Sequence, residues 1–386
     1  MAANPGQPGA RADDAPSAGE EVQDPAQATV PFDGPHQAGV DTPPPAHVNC
    51  VAFTVRAGVD RKGVRQLLRV WTADARRLTQ GQTPLADLER EMVVMPSNLT
   101  VTVGFGKRLF DIIGAKDKRP EWLGPLQKYK HDKLEDKWGE GDLLLQICGD
   151  DPLSVAHATR HLVRAGANYT SVRWMQQGFL NARGTLEKGV TARNLFGVKD
   201  GTVNPHSNEE FDRTVWIDQE PDWLKGGTSL VIRRIFLDVD EWEKLDRASR
   251  EVVFGRKLES GAPLTGEKEF DAADFGKKDK FGIPVIDPRS HMARATNPKD
   301  KPEQKILRRP YNYDLPPEPG SEKTANTGLI FCSYQRNPVT QFAAIQARLD
   351  EADRLNQWIT HIGSSVWVIP KGVEKDEYWG AGLLEG

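Results

Sequence analysis

Apolar residues along this chain recur with two different periods. Residues 48–57 (VNCVAFTVRA) are β-branched and apolar and are closed by Gly58, which predicts a strand. Residues 62–80 carry Val, Leu and Trp at three- and four-residue spacing and predict an amphipathic helix. Residues 99–106 (LTVTVGFG) and 142–149 (DLLLQICG) read as strands. Residues 151–166 open on Asp-Pro and end at Gly166, a helix with both terminal signals. Residues 170–180 form another strand. The order β-α-β-β-α-β is the ferredoxin-like pattern.

A second copy of that order follows. Residues 228–239 predict a strand, 240–255 a helix, 327–335 a strand, 338–360 a helix and 364–369 (SSVWVI) a closing strand. Between its first helix and next strand lies an insertion over residues 256–326, rich in Gly, Pro, Lys and Asp. Long irregular insertions in compact domains are commonly functional or disordered. The predicted class is therefore α+β: two ferredoxin-like halves packed as a sandwich or barrel, residues 47–185 and 186–386. Residues 1–46 hold nine prolines, seven acidic residues and one arginine, which predicts an extended or disordered arm. They contain no charged and apolar stretch of the signal-peptide kind, so the chain is cytoplasmic or has lost an export signal.

Composition narrows the function classes. Of the 386 residues 38% are hydrophobic and 27% charged, with a net charge of −4 and no basic stripe, so nucleic-acid binding is not expected. No apolar run approaches the roughly 20 residues of a membrane-spanning helix. Cys50, Cys148 and Cys332 sit in strand-like contexts without metal-ligand spacing and read as buried thiols.

Three short segments hold candidate chemistry. Phe196-Gly197-Val198-Lys199-Asp200-Gly201-Thr202 joins the halves as a glycine-flanked turn around one carboxylate. His291 lies in Ser290-His291-Met292-Ala293-Arg294, and Arg308-Arg309-Pro310-Tyr311 follows. Taken singly, each has an ordinary structural reading: an Asx turn, a surface or core histidine, a surface ion pair.

Taken together, in this order and spacing, the three segments resemble the dye-decolourising peroxidases, whose GxxDG signature matches Gly197–Gly201. Gly34-Pro35-His36-Gln37-Ala38-Gly39-Val40 also resembles that family, in its exported, deferrochelatase-like branch, and the likeness runs from about residue 30 to the end. The resemblance implies one haem b in the second half, its iron bound by His291, a neutral imidazole that leaves the sixth position open. It implies Asp200 as distal acid/base and Arg308, favoured over Arg309 by position in the motif, as distal cation. Backbone at Gly201, Thr202 and Val203 would lie against the haem, with Asn297, Pro298 and Lys299 below it. The family often has Arg two residues after the His, where this chain has Ala293, and Asn297 is likewise displaced by one. Arg294, Lys299 and Arg309 thus all remain candidates for the haem propionates. Asp287, four residues before His291, is a candidate acceptor for the imidazole N–H.

The implied activity is a peroxidase that reduces hydrogen peroxide through a ferryl intermediate and oxidises dyes or other aromatic reductants. Bulky reductants would need surface aromatics, with Tyr313, Tyr334, Trp358 and Trp367 in the second half. The alternative is a haem-binding, deferrochelatase-type protein with incidental turnover. The same likeness implies export of the folded chain.

Overall fold

A computed structural model describes residues 25–386 apart from Val94, Lys188 and Glu220. The first 24 residues of the expected arm lie outside it. Residues 25–46 open with a short 3-10 turn (Pro25–Gln27), run on through bends and turns, and are not free, because Phe32, Gln37, Val40 and Ala46 are buried against the body.

The first half follows its predicted order: β1 (His47–Val55), α1 (Arg61–Leu78), β2 (Thr100–Phe105), β3 (Leu143–Gly149), α2 (Pro152–Ala165) and β4 (Thr170–Phe179). Asp60 and Asp151 start the two helices by accepting the backbone N–H three residues on. The second half has β5 (Thr228–Leu237), α3 (Arg247–Phe254), α4 (His291–Ala295), β6 (Leu307–Arg308), β7 (Tyr311–Leu315), β8 (Asn326–Gln335), α5 (Ala344–Ala352) and β9 (Ile359–Ile369).

Both halves have the ferredoxin-like strand order, β4-β1-β3-β2 and β9-β5-β8-β7. Their edges then meet: β2 pairs with β9 at Phe105 and Val368, and β4 with β7 at Phe179 and Asn312, which closes an antiparallel ring. A closed ring leaves no free edge along its wall. The Gln37 amide reinforces one seam. It donates to Val103 O and Pro370 O at 3.2 and 2.9 Å and accepts from Val103 N at 2.9 Å. Alternate side chains of β1 go to opposite faces. Val51, Phe53 and Val55 pack with α1 and α2, while Cys50 and Ala52 face the ring interior. Cys148 and Cys332 share that interior, so all three thiols are buried and unbridged.

Three expectations change. The insertion at 256–326 is not irregular throughout: β6 and β7 lie within it, and β7 is the missing second strand of the repeat. Its short run of Tyr and Asn carries little hydrophobic signal. The helix at 240–255 is two pieces, Val239–Trp242 and Arg247–Phe254, because Asp246 starts a new cap. The helix at 338–360 opens with a π-helical turn (Val339–Ala343) and ends at Ala352, since Asp353 turns extended, and β9 already starts at Ile359.

Candidate active site

His291 opens α4 because Ser290 is extended and its Oγ accepts Ala293 N–H at 3.4 Å. The imidazole Nδ1 lies 2.6 Å from Asp353 Oδ2. The other oxygen of Asp353 accepts Leu355 N–H at 2.9 Å, so the carboxylate is fixed at the point where α5 ends. Asp353 is 1% exposed and His291 26%. An ionised carboxylate can only accept, so Nδ1 carries a proton, and in the neutral imidazole Nε2 is then the free lone pair. Phe254 meets the ring edge-on, 5.8 Å between centroids.

This overturns the expected role of Asp287. It accepts Arg289 N–H at 2.8 Å and Arg354 Nε–H at 2.5 Å instead. Asp287 precedes the first residue of α4, so the four-residue spacing on which it was chosen is not a helical one. Asp353, 62 residues beyond His291, has no local signal to betray it.

Asp200 and Arg308 form a second pair, with Asp200 Oδ1 3.1 Å from Arg308 Nη1 and both side chains mostly buried. Gly201, at φ 129°, turns the backbone away directly after the carboxylate, a conformation closed to most side chains. Arg308 is held through its own backbone. Asn204 Nδ2 donates to Arg308 O at 2.8 Å, and Arg308 N donates to Asn204 Oδ1 at 3.0 Å. The amide thereby satisfies the outer edge of β6, whose inner edge pairs with Ser333 of β8. Arg256 is the second cation here. Burial first, and then repulsion from Arg308, push its guanidinium below the usual arginine range.

Arg309 is corrected. It comes directly after the last residue of β6 and faces the opposite side, 2% exposed in the ring interior, where it donates to Thr42 O. It is therefore no propionate candidate. Arg294 is turned to α5, donating to Arg348 O at 3.0 Å and pairing with Glu351. Lys299 is exposed, and Asn297 and Pro298 form a turn closed by Asn297 Nδ2 to Lys301 O at 3.2 Å and Lys301 N to Pro298 O at 3.0 Å. Thr202 donates to Glu269 at 2.9 Å, so it braces the turn with its side chain. Against the pull of burial, Lys199, Thr191 and Thr202 hold the Glu269 carboxyl below the usual glutamate range. Val203 beside it is 61% exposed.

Asp200 Oδ1, beside Arg308 Nη1, makes no aligned hydrogen bond, and Arg348 Nη2 and Trp242 Nε1 are buried without a partner. Apolar residues line the same region: Phe196, Val198, Phe254 and Leu329 are buried, and Leu258, Phe331, Trp358 and Ile359 are only partly so. An imidazole nitrogen free to ligate, an apolar lining, a carboxylate–guanidinium pair and an arginine with one unpaired Nη2 fit a flat, apolar macrocycle with an iron centre and acidic substituents. Arg348, which sequence reasoning missed, fits the acidic substituents better than Arg294 or Arg309. Of the aromatics expected to serve reductants, Tyr313, Tyr334 and Trp367 are fully buried, and Trp358 touches Trp242 at 5.5 Å.

The chain was compared with known proteins. Residues 37–180 match the family model of the Dyp-type peroxidase N-terminal domain, and residues 191–374 that of the C-terminal domain. A dye-decolorizing peroxidase of Thermobifida fusca is 36% identical over 365 residues, covering 91% of this chain and 84% of that protein. The deferrochelatase of Escherichia coli K12 is 33% identical over 374 residues, covering 92% and 87%. A crystal structure of a DyP-type peroxidase from Cellulomonas bogoriensis is 44% identical with a TM-score of 0.90, covering 94% of this chain and all of that one. Another, from Streptomyces coelicolor, is 36% identical with a TM-score of 0.91, covering 95% and 100%. Matches spanning both halves lead to one conclusion: the chain belongs to the Dyp-type peroxidase family.

Proposed function

We infer that this chain is a haem peroxidase that reduces hydrogen peroxide and oxidises an aromatic, dye-like reductant. The observation that carries the reading is the pairing of an oriented histidine, His291 on Asp353, with a separate acid/base and cation, Asp200 and Arg308. Bound haem supplies the redox chemistry and the metal that takes up peroxide.

The protein's own groups do the rest. His291 would hold the iron of a bound haem, and Asp353 fixes the ring with Nδ1 protonated while its charge makes the other nitrogen a stronger donor. Asp200 accepts the proton of peroxide and returns it to the departing oxygen, so that water leaves and not hydroxide. One of its oxygens faces Arg308, which leaves the other for the proton. Arg308 favours the ionised carboxylate and stabilises negative charge as the O–O bond lengthens. Arg348 would hold the propionates, and the backbone of Gly201 to Val203 would lie against the macrocycle.

Bulky reductants are oxidised from outside the pocket. Ring contacts run from Phe196 to Trp242 (4.6 Å), Trp242 to Phe254 (5.5 Å) and Phe254 to His291 (5.8 Å). At the outer end, Arg193, Arg247 and Arg250 line a solvent-open groove over Phe196, which suits an anionic aromatic.

The test is an ultraviolet–visible titration of the chain with haemin, then with one equivalent of peroxide. The reading requires a Soret band that His291→Ala alters, followed by rapid spectral change and dye oxidation. Ready haem release with slow peroxide reaction would favour the haem-handling alternative. No Soret band would end both.

A further inference from the structure

A second cluster of titratable groups lies in the N-terminal half. His157 and His161 are one turn apart on one face of α2. Asp74 comes from α1, and Asp87 and Glu89 from the loop between α1 and β2. His157 Nε2 is 2.7 Å from Asp87 Oδ2 and its Nδ1 is 3.4 Å from Glu89 Oε2. His161 Nε2 is 2.9 Å from Asp74 Oδ2 and its Nδ1 is 3.8 Å from Asp87 Oδ2. The His157 side chain is 2% exposed and that of Asp87 0%, while Glu89, 48% exposed, opens the cluster to solvent.

Counting protons exposes a gap. Asp87 Oδ1 accepts Glu89 N–H at 3.0 Å, so Oδ2 is the acceptor for His157 Nε2–H. Asp74 likewise takes His161 Nε2–H. Both Nδ1 atoms then remain, buried and without a hydrogen bond. In the neutral imidazoles each faces a carboxylate oxygen, acceptor against acceptor. Arg160 pairs with Glu89 Oε2 at 2.8 Å and is itself 64% exposed, so it neutralises Glu89 from the solvent side. A positive species between His157 Nδ1 and Glu89 would resolve the clash.

We propose that Asp87, Glu89 and His157 bind one divalent cation of the zinc class, a site separate from the haem pocket. Their ligand atoms lie within 4.8 Å of one another. Ligands ~2.1 Å from a four-coordinate ion stand ~3.4 Å apart. His157 Nδ1 and Glu89 Oε2 are already 3.4 Å apart, so Asp87 is the group that rotates, leaving His157 Nε2–H to reach the ion. One imidazole and two carboxylates are a mixed nitrogen and oxygen set, suited to Zn²⁺, whereas Mg²⁺ and Ca²⁺ favour oxygen alone. Water enters from the Glu89 side to complete four-coordination. His161, fixed by Asp74, stands behind Asp87. The ion would tie the Asp87–Glu89 loop to α2 and act structurally.

The experiment uses the haem-loaded, tag-free chain, stripped with EDTA, dialysed, and titrated with Zn²⁺ by calorimetry while melting is followed by circular dichroism. One Zn²⁺ per chain should bind and raise the melting temperature. His157→Gln and Glu89→Gln should each weaken binding by about 10–100-fold or more. Glu89→Gln, at the surface, keeps the fold and leaves the Soret band and peroxide turnover unchanged. No stoichiometric binding, equal binding in both variants, or equally tight Mg²⁺ would overturn the proposal. So would a melting temperature that responds to pH and not to Zn²⁺, because protons would then fill the Nδ1 positions.

Discussion

Asp353 Oδ2 and His291 Nδ1 stand 2.6 Å apart, and the carboxylate is buried and held on its other oxygen by the chain itself. The imidazole orientation is therefore built into the end of α5 and does not depend on a mobile side chain. Asp353→Asn keeps an acceptor and removes the charge. The iron reduction potential should rise, and peroxide activity should fall by about 10–100-fold, the usual cost of losing such a partner. Asp287→Asn should leave the potential unchanged, since that residue serves Arg354. Spectroelectrochemical titration of both variants decides; a shift in Asp287→Asn equal to that in Asp353→Asn would sink the assignment.

Adjacent arginines, Arg308 ending β6 and Arg309 just beyond it, allow one substitution to be compared at two positions. Arg308 faces Asp200, and Arg309 faces the ring interior. Arg308→Met should slow the peroxide step by about 100–1,000-fold, as loss of a positioned cation does. Arg309→Met should leave it unchanged. Arg308→Ala should also cost more than Asp200→Ala, because water can relay a proton but cannot replace the guanidinium charge. Stopped-flow spectra at several peroxide concentrations give the rates. A normal rate in both Arg308→Met and Asp200→Ala would refute the distal roles.

Asn204 is predicted to act on the reaction through Arg308 alone. Its amide makes two hydrogen bonds to the Arg308 backbone, one as donor and one as acceptor. Asn204→Ala leaves both backbone groups unpaired at a cost of about 1–3 kcal/mol each. The variant should melt earlier and react more slowly with peroxide, with the His291 ligation bands unaltered. Asn204→Asp keeps only the acceptor and should fall between. A lowered melting temperature with an unchanged peroxide rate would reduce Asn204 to a purely structural residue.

How much of this was legible beforehand follows from the range of each interaction. The first half was readable because α1 and α2 carry helical periodicity and local caps at Asp60 and Asp151. The strands β1 and β3, buried on both faces, gave apolar runs that needed no alternation. β7 was lost because Tyr311-Asn312-Tyr313 joins the sheet through pairing with β8, a partner that the local sequence does not name. His291, Asp200 and Arg308 were found by order and spacing. Asp353, Asn204 and Arg348 were not, since each acts on a residue that only tertiary structure brings near. Strand alternation does separate Arg308 from Arg309, but only once residues 307–308 are known to be a strand.

Glu140 should make stability depend on pH above the ordinary carboxylate range. Burial pushes its carboxyl from 4.5 up to about 8, against the lowering effect of the Val366 N–H and of Arg173 and Lys107. The folded chain then keeps this proton until about pH 8, whereas the unfolded chain releases it near 4.5. Between those values the folded state binds more protons, so its contribution to stability is full below 4.5, falls as pH rises, and is gone above about 8. The slope approaches ~1.4 kcal/mol per pH unit and sums to a few kcal/mol. Glu140→Gln keeps a carbonyl acceptor for Val366 N–H, which lies 3.1 Å from Oε1, and cannot ionise. The variant should match the parent at pH 4.5 and exceed it at pH 8.5, with a higher urea midpoint. Two midpoints that fall in parallel with pH would mean that Glu140 is charged in the folded chain at neutral pH, and that Arg173 and Lys107 offset its burial.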